Sequence, residues 1–319
     1  MRPRAVISLG TNTTRLLVVI EREDGRVEQI EHGAIGTRLG EGLSDSGLLA
    51  EAAMERTLAA VRRFAERVRV HRAEPFAIAT SAMRRAQNAD RFAKRVERTA
   101  GASLRILAGE EEGMASFRGA TWKAPRNGVR RAVLDVGGGS TECAVGIDGL
   151  LEQTVSFEIG SVRLTERFPD LAGKSAAGNA NPPPTSVRNA SLARSARIAA
   201  HNARAEAAAV LAPLSDLRSV AEVRTVAGTP LTIGAIAFGS TVDDVSGRLL
   251  GLDAIEDVID RLLGLDLEAR KAVPGMIAQR ADVLPAGGLI VSEALRLLGL
   301  AEARLESDDL LLGFLLGLS

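Results

Sequence analysis

The chain has 319 residues, of which 46% are hydrophobic and 25% charged, with Lys+Arg and Asp+Glu both at 40. That length exceeds one ordinary core and suits two domains, and the balanced charge excludes a global field that would draw in nucleic acid or an anionic membrane. Any polyanion site must therefore be a local basic patch. The single cysteine, Cys143, excludes an intrachain disulfide and fits a reducing compartment. With only His32, His71 and His201 beside it, a Cys/His zinc site is not expected. The N-terminus runs into a strand pattern rather than a signal-peptide core. The strongly apolar tail, residues 310–318, is about half of the roughly 20 residues that span a bilayer. A soluble, cytoplasmic protein with no nucleic-acid and no membrane partner is expected.

Strands are expected at 6–9, 16–20 and 27–32, each apolar or alternating and bounded by glycine or charge. Met54, Leu58, Val61, Ala65 and Val68 recur at three- and four-residue steps, which predicts an amphipathic helix over 50–70. A short buried strand follows at 76–79. Asn88 stands where it would N-cap a helix whose inner face carries Phe92 and Val96. A strand at 104–107 and a helix at 110–120 come next. At Arg131 the pattern restarts, with strands at 132–136, 142–147 and 150–157. The restart predicts a duplicated βββαβα unit and two similar α/β domains facing a cleft. The first is expected over 1–125, completed by 303–319, and the second over 126–302. Residues 173–189 contain Pro182-Pro183-Pro184, which can neither continue a helix nor donate within a central strand, and read as a mobile surface insertion. Helical propensity returns over 190–214. Another helix is expected at 286–298, and a last apolar segment at 309–318.

Two stretches are copies of one plan. Ala5-Val6-Ile7-Ser8-Leu9-Gly10-Thr11-Asn12-Thr13-Thr14 aligns without a gap on Ala132-Val133-Leu134-Asp135-Val136-Gly137-Gly138-Gly139-Ser140-Thr141. Each reads as a buried strand, a Gly/Ser/Thr turn and a second apolar run. Such a turn directs backbone N–H groups and hydroxyls to one point, as a phosphate requires. The glycines at 137–139 permit positive φ and close backbone approach to a ligand. Asp135, at the strand's end, can hold Mg2+ directly or through water; the first copy carries Ser8 at that place. After the strand at 76–79, Thr80, Ser81, Arg84 and Arg85 bring hydroxyls and planar donors that match phosphate oxygens, though a solvated turn with an N-cap explains them equally. Arg15, Arg38, Arg91, Lys94 and Arg95 could extend a basic surface. Gly109-Glu110-Glu111-Glu112 opens a helix, where acidic residues complement the dipole. Alternatively, one of these carboxylates takes a proton from attacking water.

Taken together and in this order, the motifs resemble the exopolyphosphatase/guanosine pentaphosphate phosphohydrolase family, within the actin-like ATPase superfamily. The resemblance covers nearly the whole chain. It rests on the two turns, on Arg38-Leu39-Gly40-Glu41-Gly42-Leu43, Thr80-Ser81-Ala82-Met83-Arg84 and Gly109-Glu110-Glu111-Glu112, and on Asp135 through Glu142. Gly160-Ser161-Val162-Arg163-Leu164-Thr165-Glu166-Arg167-Phe168, Ala227-Gly228-Thr229-Pro230-Leu231-Thr232 and Arg280-Ala281-Asp282-Val283-Leu284-Pro285-Ala286-Gly287 continue it. It implies two actin-like (ribonuclease H-like) domains facing an interdomain cleft, and hydrolysis of a terminal phosphoanhydride in inorganic polyphosphate or guanosine pentaphosphate. Under this resemblance Gly10, Thr11, Asn12, Thr13, Gly137, Gly138, Gly139, Ser140 and Thr141 wrap the phosphates, and Arg15 and Arg84 meet their charge. Asp135 and Glu142 organise Mg2+ (or Mn2+). Glu112, with Glu111 as the neighbouring candidate, positions or deprotonates water. Polyphosphate or a phosphorylated guanosine nucleotide is the expected partner, with a homodimer allowed.

The chain departs from the family in places. Ser8 stands where the family has aspartate and brings no charge to a metal. Asp309-Leu310-Leu311-Leu312-Gly313 replaces a Gly-Leu-Arg-Glu-Gly segment, and Ala227-Gly228-Thr229 a Gly-Gly-Thr turn. Gly113 replaces the alanine usual after the paired glutamates, a change expected to matter little. These departures motivate a second expectation, a catalytically weak sensor that holds polyphosphate or an alarmone. A kinase or ATPase of the same fold is the third.

Overall fold

The structure, a computed structural model, describes residues 2–174, 185–217 and 219–318. Its chain divides into two compact units, Met1–Trp122 with Asp308–Ser319, and Lys123–Ser307.

In the first unit β1 (Arg4–Leu9), β2 (Thr13–Glu21) and β3 (Val27–Gly36) form an antiparallel meander. After helices α1 (Leu43–Ser46) and α2 (Glu51–Val70), β4 (Glu74–Ala79) pairs parallel with β1. Helices α3 (Ser81–Arg85) and α4 (Ala89–Ala100) lead to β5 (Leu104–Ile106), and α5 (Gly109–Thr121) follows; the sheet order is β3-β2-β1-β4-β5. Strand side chains alternate between faces. Ala5, Ile7 and Leu9 therefore pack with Leu58, Val61, Phe92 and Val96 of α2 and α4. Val6, with Leu17 and Val19 of β2, packs on the opposite face with Ala115 of α5 and Leu311, Leu312 and Leu315 of the C-terminal helix. Being apolar on both faces makes β1 a central strand. The C-terminal helix, Leu310–Leu316, seats on α5 through glycine: a Cβ at Gly313 would lie 1.8 Å from the Ala115 carbonyl oxygen. Asn88 does precede α4, but it does not cap it. Its amide instead bonds the Leu49 backbone in both directions, at 3.0 and 2.9 Å, and so ties down the entry to α2.

The second unit repeats the plan. Its strands β6 (Arg130–Val136), β7 (Thr141–Ile147) and β8 (Leu150–Phe157) form a second meander, and α6 (Ser161–Arg167) and α7 (Thr185–Leu211) precede β9 (Glu222–Val226), which pairs parallel with β6. Then come α8 (Gly228–Phe238), β10 (Leu249–Gly251), α9 (Leu252–Leu263), α10 (Leu267–Lys271), α11 (Leu284–Leu298) and β11 (Glu302–Leu305). The sheet order is β10-β11-β9-β6-β7-β8. Read as β8-β7-β6-β9-β11, it matches the first sheet strand for strand, with β10 added at the edge. Both units are thus mixed-sheet α/β domains of the ribonuclease H-like, actin-like kind. Because β11 pairs with β9, residues 303–305 lie in this unit rather than in the returning C-terminal segment.

Of the insertion expected at 173–189, residues 175–184 lie outside the described residues, while α7 already begins at Thr185. Its start is anchored: Gly173 has φ 66° and packs against the guanidinium of the buried Arg270, which donates to the Leu171 carbonyl at 2.6 Å and to that of Leu262 at 2.7 Å. Burial pushes the Arg270 pKa down to about 10, against the nearby charges of Asp282 and Asp266. Arg204, Glu256, Glu293 and Arg296 form a half-buried network across α7, α9 and α11. Among the described residues no helix is long and apolar enough to cross a membrane.

Candidate functional site

The first turn leaves the C-terminal end of β1. Gly10 N–H donates to the Thr13 carbonyl at 3.1 Å, closing the turn, and a Cβ on Gly10 would stand 2.9 Å from that oxygen. Behind it runs the segment that follows β3. The N–H groups of Thr37 and Arg38 donate to the Asn12 carbonyl at 3.1 and 2.9 Å, and that of Gly40 to the Thr11 carbonyl at 2.9 Å. A trans peptide points its N–H opposite its C=O. Tying the carbonyls of Thr11 and Asn12 back therefore turns the N–H groups of Asn12 and Thr13 away from the support.

The second turn repeats this geometry. Gly137 N–H donates to the Ser140 carbonyl at 3.0 Å, and the amides at the start of α6 provide the backing: Ser161 to Gly137 at 3.0 Å, Val162 and Arg163 to Gly138 at 2.9 and 3.1 Å. The N–H groups of Gly138 and Gly139 then point the other way. Among the described residues none of the amides of Asn12, Gly138 and Gly139 donates a hydrogen bond within the chain. Of the two freedoms these glycines permit, positive φ is not used: none of Gly137, Gly138 and Gly139 adopts it. The close approach that excludes a side chain is made by Gly160, which backs the turn. A Cβ on Gly160 would lie 2.5 Å from the Gly138 carbonyl carbon and the Gly139 nitrogen. The backing segments, Gly40 and Gly160 included, had no assigned role in the sequence; only their recurrence in the family pattern marked them.

In the first unit three exits share one sheet edge, because β1, β4 and β5 run parallel. Thr80 N–H reaches the Leu9 carbonyl at 3.3 Å, which sets the first turn of α3 beside residues 10–13. Thr11 Oγ1, both side-chain polar atoms of Asn12 and Ser81 Oγ are buried without a hydrogen-bond partner. Burying such groups unpaired costs about 1–3 kcal/mol each. Orphans grouped at the end of two adjacent strands mark a place shaped for a ligand. Arg84, in the last turn of α3, donates to the Leu107 carbonyl at 2.7 Å and forms an ion pair with Glu112 of α5.

The two candidate glutamates have separate surroundings. Glu112 is 5% exposed and turned inward to Arg84. Glu111 accepts from the Ala108 N–H at 2.8 Å and pairs with Arg105 at the surface. That backbone N–H, aided by Arg105, holds the Glu111 pKa below its ordinary value. Arg15 is paired with Asp309, the N-cap of the C-terminal helix, at 2.5 Å. Arg95 bridges α4 to Glu51 and Glu55 of α2, whereas Arg91 and Lys94 lie exposed on α4. Arg38, at φ 50°, serves the first turn through its backbone.

Asp135 and Glu142 face each other across β6 and β7, both buried, with Ser156 Oγ donating to Glu142 at 2.8 Å. Among the described residues no group of three or more His, Cys, Asp and Glu could hold a metal by itself. A pair of carboxylates still fits Mg2+, which is commonly held by one or two of them while phosphate oxygens and water complete its shell. One turn away, Ala227 stands between β9 and α8 at φ 73° and ψ 176°. That region is open essentially to glycine and strains other residues by about 1–3 kcal/mol. Ala227→Gly is therefore expected to raise the thermal midpoint of the intact protein; an unchanged or lowered midpoint in a melt would show the strain to be absent.

The Ppx/GppA phosphatase family model matches residues 18–176. Exopolyphosphatase 2 of Mycobacterium tuberculosis is 32% identical over 332 residues, 99% of this chain and 98% of that protein. The guanosine-5'-triphosphate,3'-diphosphate pyrophosphatase of Vibrio vulnificus is 33% identical over 165 residues, which is 51% of this chain and 33% of that one. Among solved structures, the Aquifex aeolicus Ppx/GppA family member superposes with a TM-score of 0.72 at 25% identity, covering 99% of this chain and 97% of that chain. With a full-length relative at this identity and two domains built on the same turns, the chain belongs to the Ppx/GppA phosphatase family.

Proposed function

We propose that this family member releases the terminal phosphate of inorganic polyphosphate, or of guanosine pentaphosphate, by attack of water on the end phosphorus. The observation that supports this best is the set of buried, unpartnered polar atoms on Thr11, Asn12 and Ser81, beside amides turned outward by their backing segments. Anionic oxygens satisfy the donors among them, the Thr11 and Ser81 hydroxyls and Asn12 Nδ2, and charge-assisted hydrogen bonds are the strong ones. The turn at 137–141 offers the second unit's donors to the same class of ligand. Mg2+, held by Asp135 and Glu142, would supply charge neutralisation on the phosphate oxygens.

Glu112 receives the proton as the water oxygen bonds to phosphorus. The bond from phosphorus to the bridging oxygen breaks, and the shortened chain leaves as an oxyanion. Arg84 orients Glu112 through their ion pair and meets the phosphate charge. Most of the rate comes from positioning and electrostatic stabilisation, with little covalent chemistry asked of the protein. The relatives named for exopolyphosphatase and guanosine pentaphosphate activity support the substrate class.

A phosphate-release assay on long-chain polyphosphate and guanosine pentaphosphate, side by side with Mg2+ and Mn2+, tests this. Release above a buffer blank is expected, and loss of it in Asp135→Ala. A second reading, a sensor that binds without turnover, draws on Ser8 and on the pairing of Arg15 with Asp309. Calorimetric binding without release, with turnover restored by Ser8→Asp, would favour the sensor; neither binding nor release defeats both readings.

A further inference from the structure

We infer that Asp309 is a positioning residue that competes with the phosphate chain for Arg15. The inference rests on the phosphate-chain reading above and goes beyond it, because it names what sets the affinity of the first unit's turn.

Arg15 lies on β2, directly across from Ser8 of β1 and next but one to Thr13. It shares the sheet face of Val6 and Leu17, the face covered by α5 and the C-terminal helix. Ser8 offers it no charge. The acid that reaches Arg15 comes from far along the chain: Asp309 Oδ2 accepts from Arg15 Nη2 at 2.5 Å, 294 residues away in sequence. Asp309 is only 4% exposed, and its other oxygen accepts the Leu311 N–H at 3.0 Å, so the carboxylate is fixed by its own helix. The helix in turn is fixed on α5 by the contacts of Gly313 with Ala115 and of Gly119 with the Asp309 carbonyl. Arg15 is the looser partner. Its side chain is 29% exposed, and one of its five N–H donors is engaged by Asp309.

A rigid carboxylate and a partly exposed guanidinium beside a phosphate turn make an internal counter-ion. An incoming phosphate oxygen competes with Asp309 for the same fork, and meets the like charge of the carboxylate as it does so. Removing that charge leaves Arg15 to the ligand. Asn and Ser both retain the N-cap hydrogen bond, which separates charge from helix integrity.

The test is calorimetric titration with inorganic polyphosphate of the wild type, Asp309→Asn, Asp309→Glu and the double variant Arg15→Gln/Asp309→Asn, each full-length and checked by circular dichroism. Asp309→Asn is expected to bind about five- to tenfold tighter, the range a partly buried charge pair spans. Asp309→Glu should stay within about twofold of wild type, and the double variant should lose the gain. If Asp309→Asn does not fold, Asp309→Ser takes its place. Wild-type binding with no tightening in Asp309→Asn, or with weakening, overturns the competition while leaving phosphate-chain binding in place. So does a gain that survives in the double variant. Absence of binding in every variant overturns both.

Discussion

Glu112→Gln is expected to lower kcat for phosphate release by about one hundred- to ten thousand-fold, the range general-base catalysis spans, whereas Glu111→Gln should leave kcat nearly unchanged. The two residues are neighbours on α5, with Glu112 the first candidate and Glu111 the second under the family resemblance, and the fold puts them to different uses. Glu111 accepts the Ala108 N–H, a bond that glutamine makes equally well in a capping box. Its partner Arg105 is largely exposed, and such pairs contribute little. Glu112 is buried and held by Arg84, which also grips the Leu107 carbonyl. Glutamine keeps that shape and can still accept from Arg84, so Glu112→Gln removes the charge and the proton-accepting oxygen with small cost to the fold. Rates on polyphosphate, measured with thermal melts of both variants, decide the matter. Equal losses in the two variants, or a loss confined to Glu111→Gln, would exclude Glu112 as the residue that takes the proton.

The parts of this molecule that were legible in the sequence are the local ones. The continuous apolar run that buries β1 on both faces, the steps of Met54 to Val68 along α2 and the gap-free repeat of the two turns are all contiguous patterns. Both turns close with the same glycine-to-carbonyl bond, as the repeat suggested, and Thr11, Asn12 and Ser81 follow the adjacent strands β1 and β4 with their side-chain polar atoms buried. What stayed hidden depends on chain-distant or backbone partners. Asn88 was placed to cap its own helix, yet Leu49 claims its side chain. Arg15 gave no hint of Asp309. The backing of each turn by amides at 37–40 and 161–163 leaves no side-chain signature, because any residue but proline has an N–H to give. The family pattern marked those segments without saying what they do. The triple glycine permits positive φ without using it: sequence says that glycine is present, while only the packing says whether dihedral freedom or lack of a Cβ is being used.

Gly160→Ala tests that last distinction at the point where it matters most to the site. Gly160 is extended, at φ −158° and ψ 167°, a backbone that alanine adopts freely, so no conformational penalty is expected. The penalty is steric. The new methyl would meet the Gly138 carbonyl carbon and the Gly139 nitrogen at 2.5 Å, and neither atom belongs to a flexible side chain that could swing aside. Either the turn or the start of α6 must move, at a cost of about 1–3 kcal/mol for overpacking. For a domain of this size that corresponds to a fall of roughly 2–4 °C in the melting midpoint per kcal/mol. Movement also breaks the bonds from Ser161, Val162 and Arg163 that hold the Gly137 and Gly138 carbonyls back, and with them the aim of the Gly138 and Gly139 amides. Polyphosphate affinity should therefore fall along with stability, although no atom of Gly160 is proposed to touch the ligand. Gly264→Ala in the same unit is the control: its φ of −77° suits alanine and its nearest contact for a Cβ is 3.4 Å, so it should alter neither quantity appreciably. If Gly160→Ala melts and binds like Gly264→Ala, the docking of α6 does not hold the second turn in place, and the outward aim of its amides must come from the Gly137–Ser140 closure alone.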